Sequence, residues 1–168
     1  STASCPGTAS GSCRRRSRRK SGASLFDSLV ALAHQLLSPK TLTVLVTCSA
    51  LDARFAGPVP AGTAAAGGRR LALELMQRAG IKSPPPAVAG SEVLGHHSPT
   101  DAARAIVAEA MREDKLPLYF TCGGPLTNLA AALALEPRIA GRMTLIWIGG
   151  GNYPSGGWEY NLAADPVA

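Results

Sequence analysis

Residues 117–151 read PLYFTCGGPLTNLAAALALEPRIAGRMTLIWIGGG, and the order of signals in this stretch decides the fold. Pro117 to Cys122 is an apolar run with aromatic residues, closed by the pair Gly123 and Gly124. That pattern predicts a strand running into a tight turn. Leu126 to Leu135 predicts a helix that stops before Pro137, since proline has no backbone N–H to continue the ladder. Met143 to Ile148 (MTLIWI) is a second strand-like run, followed by Gly149, Gly150 and Gly151. A strand, a helix and a second strand in this order imply a βαβ unit and parallel strands.

The upstream sequence carries the same alternation. Leu25, Leu29, Leu32 and Leu36 recur at helical spacing within Leu25 to Leu37, and Pro39 ends that helix. Thr41 to Thr47 (TLTVLVT) predicts a short buried strand, and a Gly/Pro-bearing loop follows from Ser49 to Gly62. A helix from about Thr63 to Ala79 has Gly80 just past its end as a C-cap. Lys82 to Val88 holds three prolines and then a brief apolar piece suited to a short strand. After the loop 90–98, Thr100 or Ser98 can cap a helix over Asp101 to Arg112. The expected class is therefore α/β, a mostly parallel sheet flanked by helices, over residues 23–168. In such sheets ligands bind beyond the C-terminal ends of the strands. That rule selects Ser49 to Phe55, Cys122 to Asn128 and Gly149 to Asn161, which are also the Gly-rich and polar segments.

A net charge of +6 invites a nucleic-acid reading until the charges are located. Residues 1–22 contain Arg14, Arg15, Arg16, Arg18, Arg19 and Lys20 and no acidic residue. Removing these six from the 17 basic residues leaves 11 against 11 acidic ones, so the rest of the chain is neutral. The excess belongs to a basic tail, read as a solvated disordered arm, with no aromatic residue to stack on a base. Nucleic-acid binding therefore ranks last among the functions considered. No run of about 18 apolar residues is present to span a membrane. The cysteines, Cys5, Cys13, Cys48 and Cys122, form no C-x-x-C pair; they are expected to be buried free thiols in a reducing, cytoplasmic setting.

The chemistry is expected at the two downstream glycine segments. Thr121 to Asn128 (TCGGPLTN) is neither a dinucleotide fingerprint nor a P-loop, so no phosphate site is read there. Glu159 and Asn161 lie two residues apart and would share a face if the backbone were extended. A carboxylate and an amide side by side suit neighbouring hydroxyls of a sugar. His96 and His97 sit in a Gly/Ser/Pro loop from which they could reach a pocket at the sheet edge, whereas His34 belongs to a helix surface.

Taken together, GPLTNLAAAL (124–133), EPRIA (136–140), the apolar strand with IGGG, and then WEYN and ADPVA resemble the inosine–uridine nucleoside hydrolase family. Weaker similarity reaches back to FDSLVALAHQLLSP (26–39). The resemblance implies hydrolysis of the N-glycosidic bond of a small-molecule nucleoside, a place in purine and pyrimidine salvage, and a bound Ca²⁺. It implies ribose contacts from Asp27, Asp52, Asn152, Glu159 and Asn161, and metal contacts from Asp27 and the Gly123 carbonyl. No catalytic base is assigned. The family's aspartate cluster departs here: Ala23 stands about where the base belongs, Ser28 follows Asp27 where a second metal-binding aspartate is common, and the family's later metal ligand lies beyond Ala168. Alternatives left open are another N-glycoside, such as a nicotinamide riboside-type substrate, and a non-catalytic chain with at most weak ribose binding. Base preference and homo-oligomer formation are left open as well.

Overall fold

The computed structural model describes residues 28–54, 56 and 58–168. The basic tail 1–22, Asp27, Phe55 and the thiols Cys5 and Cys13 lie outside the described residues. A first helix, α1, occupies 28–37. It is followed by β1 (Val46–Cys48), α2 (Ala64–Arg78), β2 (Ala87–Ala89), α3 (Asp101–Ala110), β3 (Leu118–Cys122), α4 (Thr127–Leu135), a 3₁₀ turn (Pro137–Gly141), β4 (Met143–Trp147) and α5 (Tyr160–Ala164). Both strand pairings are parallel: Val46 lies opposite Ala87, and Leu118 opposite Met143. The expected α/β class with parallel strands flanked by helices is what forms.

Strand β1 is shorter than Thr41 to Thr47 suggested, and its residues are only half-buried. The reason lies in its partner. Pro84, Pro85 and Pro86 have no N–H to give a ladder, so pairing begins where Val46 N donates to Pro86 O at 2.9 Å. Of the two candidate caps for α3, Thr100 serves: its hydroxyl accepts from Ala103 N at 3.1 Å. Gly80 follows α2 at φ +68°, as a C-cap glycine should.

The core consists mainly of small residues. Ala103, Ile106 and Ala110 of α3 meet Leu129, Ala131 and Ala132 of α4, with Ile139 of the 3₁₀ turn fully enclosed beside them. Leu45, Leu118, Phe120 and Met143 pack against this cluster from the strands. Alanine on both helices lets their backbones approach closely. A second cluster joins Ala72 and Met76 of α2 to Ala87, with Leu32 and Leu36 of α1 against it. These two clusters fix where the strand ends fall, and hence the rim on which the polar segments meet. No helix among the described residues is long and apolar enough to cross a membrane.

Candidate functional site

The C-terminal ends of the strands are tied together by side chains of the segments that follow them. Cys48 O, at the end of β1, accepts from Gly90 N at 2.8 Å and from Asn128 Nδ2 at 3.1 Å. On the other pair, Ile148 N donates to Cys122 O at 3.1 Å, and Trp147 Nε1 donates to Gly124 O at 2.9 Å. Asn161 Nδ2 then donates to Ile148 O at 2.8 Å. A single residue, Ile148, therefore links Asn161 to Cys122, the residue preceding Gly123. The glycine turn and the Asn161 segment do share one rim.

Glu159 and Asn161 are not on an extended strand. The expected shared face is replaced by α5, with Glu159 as its N-cap. The Glu159 carboxylate accepts from Asn161 N at 3.0 Å and from Leu162 N at 2.9 Å, satisfying two N–H groups that a helix start leaves open. The carboxylate is thereby folded onto its own helix, while Asn161 points inward and is 6% exposed. Asn161 Oδ1 is buried with no hydrogen-bond partner among the described residues, as are Asn128 Oδ1 and Asp165 Oδ1. Buried acceptors without donors are uncommon in folded proteins.

The other expected sugar contacts are placed differently. Asp52 is buried after β1, and Arg54 grips it with a two-pronged ion pair, its Nε at 2.9 and 3.0 Å from the two carboxylate oxygens. The hydrogen bonds from Arg54 outweigh burial and hold the Asp52 carboxyl below its ordinary range. Arg54 also reaches Ala163 O at 3.4 Å, which brings this pair to α5. Asn152 stands apart: it is exposed, and its backbone closes a small turn with Gly156. Asp27 lies outside the described residues.

Gly123 is exposed at the rim, and a Cβ built on it would lie 3.7 Å from Ser28 Oγ, the side chain that follows Asp27 in the chain. A calcium ion there would need anionic oxygens, because affinity follows the number of charged ligands. Among the described residues, the oxygen ligands identified at Gly123 are its carbonyl and the neighbouring Ser28 hydroxyl, both neutral. Asp52 is paired with Arg54, Glu159 caps α5, and one oxygen of Asp165 is taken by Thr127, Gly95 and His97. No group of three or more His, Cys, Asp or Glu among the described residues is arranged to hold a metal ion. The described residues do not by themselves assemble a Ca²⁺ site, and Asp27 lies outside them.

Sequence reasoning missed the polar centre of the rim, Asp165. Its side chain is fully enclosed, and one oxygen accepts from Thr127 Oγ1 (2.5 Å), Gly95 N (3.1 Å) and His97 Nε2 (3.2 Å). Burial pushes this carboxyl up, but the bonds from Thr127, Gly95 and His97 prevail and it lies below its ordinary range. The missed signal is weak: an aspartate before Pro166, with partners 38 to 70 residues away. His34 is exposed, as expected of a helix-surface residue. Cys48 and Cys122 are free, half-buried thiols, and burial pushes both up, so neither is an activated nucleophile.

The fold is α/β with parallel strands, and its polar side chains gather at the C-terminal strand ends, where folds of this class place their ligands. Residues 27–168 match the family described as inosine-uridine preferring nucleoside hydrolase, and the chain belongs to that family. It is similar to the pyrimidine-specific ribonucleoside hydrolase RihA of Klebsiella pneumoniae (strain 342), with 34% identity over 67 residues, 38% of this chain. That match spans 22% of the relative's length.

Proposed function

We propose that this chain takes part in hydrolysis of the N-glycosidic bond of ribonucleosides, releasing base and ribose, and that α5 with the glycine turn forms its ribose-binding rim. The observation that carries this reading is Asn161. Its amide is anchored on Ile148 O, so its carbonyl is a fixed, desolvated acceptor awaiting a donor beside the glycine turn. A ribose hydroxyl is such a donor, and sites built to bond a hydroxyl reject analogues that lack it. Glu159 contributes by starting α5, which sets the direction of the Asn161 side chain, and its remaining lone pairs can accept a second hydroxyl.

Hydrolysis adds water across C1′–N: the C–N bond breaks, its electrons leave with the base, and the ribose ring passes through an oxocarbenium-like state. Carboxylates near that ring lower its energy. Asp52 is ionised at neutral pH, but Arg54 offsets its charge, so its contribution depends on how far a ligand displaces the guanidinium. The general base is not assigned. The relative's name describes a pyrimidine-specific ribonucleoside hydrolase, which makes uridine and cytidine the first substrates to try. A cytoplasmic role in nucleoside salvage goes with this reading.

The test pairs a reducing-sugar assay on uridine, cytidine and inosine with saturation-transfer NMR of ribose. Ribose contacts should be seen with the wild-type chain. With Asn161→Leu the affinity should fall by about 10-fold or more, the worth of one buried hydrogen bond, while circular dichroism confirms that the variant is folded. Equal ribose binding by both proteins, or none by the wild type, would overturn the assignment of the rim.

A further inference from the structure

Three donors from two separate segments converge on one atom. Asp165 Oδ2 accepts from Gly95 N and His97 Nε2, both in the loop 90–98, and from Thr127 Oγ1 at the start of α4, while Asp165 itself closes α5. Thr127 is 1% exposed and the Asp165 side chain is fully enclosed, whereas the His97 side chain keeps 22% of its surface. The histidine is thus held from inside through Nε2 while part of its side chain stays exposed.

An ionised carboxylate only accepts hydrogen bonds. The imidazole nitrogen facing it must therefore carry the proton, and a neutral His97 is held with Nε2 protonated and Nδ1 bearing the lone pair. We infer that Asp165 is a positioning residue: it fixes the tautomer and ring orientation of His97, so that Nδ1 is presented as an acceptor for a hydroxyl or N–H donor arriving at the rim. Only the identity of that donor, a nucleoside hydroxyl or base N–H, rests on the function proposed above. The ring geometry can be tested without any ligand.

The experiment is nitrogen-15 NMR of the ligand-free chain at about pH 8, above the ordinary histidine range. With three histidines in the chain, His97→Gln assigns the signal by its loss. Wild-type His97 should show a single Nε2-protonated tautomer, with a ring N–H resonance that persists in water because its acceptor is enclosed. In Asp165→Ala that resonance should vanish and the ring shifts should move to those of a freely averaging imidazole. Should Asp165→Ala not fold, Asp165→Asn retains the shape, and replacing a charged acceptor by a neutral one should move the ring N–H upfield. A wild-type His97 protonated at Nδ1, or ring signals unchanged in the folded variants, would overturn the inference. Neither result depends on whether the chain binds ribose.

Discussion

Asp165→Ala should lower the stability of this chain by about 3 kcal/mol near neutral pH, the range for removing one partner of an enclosed, charge-assisted hydrogen-bond group. The variant leaves the Thr127 hydroxyl, the Gly95 amide and the His97 ring without their shared acceptor. The sign with pH follows from the direction of the shift. The folded-state carboxyl lies below its ordinary range, so the unfolded chain takes up the proton first as pH falls. The contribution is complete above the unfolded carboxylate value of about 3.9 and disappears as pH drops through the lower folded value. Urea midpoints of wild type and variant should therefore differ widely at pH 6 and converge towards pH 3. Asp52 and Glu136 are also held down, by Arg54 and Arg138, but both proteins retain them and they cancel in the difference. Among the described residues, His97 is the titratable side chain hydrogen-bonded to Asp165. A gap between the two proteins that stays constant from pH 6 to 3 would show that Asp165 does not act through its charge.

How legible the molecule was depends on how local each interaction is. The unit from β3 to β4 could be read directly, because Gly123, Gly124 and Pro137 punctuate it and each segment has the period of its element. Helix α2 with Gly80, and α3 with Thr100, were readable for the same reason: their caps adjoin them. Helix α5 was not. Five residues are too few to display a helical period, and its cap is a glutamate, outside the usual Ser, Thr, Asp and Asn preference. That omission turned Glu159 and Asn161 into an imagined extended pair, although both do lie at the rim. The cap of α2 was hidden in another way: Glu92 accepts from Ala65 N and Ala66 N across 27 and 26 residues. Asp165 is the extreme case, since its role exists only once three distant segments have met. The pairing of Asp52 with Arg54 was within reach of sequence reasoning, being two residues apart, but it removes the open carboxylate that the family resemblance implied.

Gly90 is where the two strand pairs depend on each other, and it supports the second large expected effect. Glycine is required here by space, not by φ. A Cβ at this position would lie 1.9 Å from Asn128 Oδ1, 2.6 Å from its Cγ and 2.8 Å from its Nδ2. Asn128 cannot simply swing aside, because it is 5% exposed and its amide holds Cys48 O. Gly90→Ala must either expel that side chain, breaking the bond that ties α4 to the end of β1, or push β2 off β1. Overpacking and a lost buried hydrogen bond together should cost about 3 kcal/mol. A double-mutant cycle separates this from a general intolerance of the loop. Asn128→Ala alone loses the bond to Cys48 O but clears the space, so adding Gly90→Ala to it should cost little. The double variant should then be more stable than the sum of the single effects predicts, by at least about 1 kcal/mol. Strict additivity would mean that the alanine at 90 acts through its own backbone, and that Asn128 is not the pin between the strand ends. If the coupling is found, the same contact explains why the rim is sensitive to a residue that touches no ligand: Asn128 follows Thr127, the donor to Asp165, so displacing it disturbs the segment that holds His97 in place.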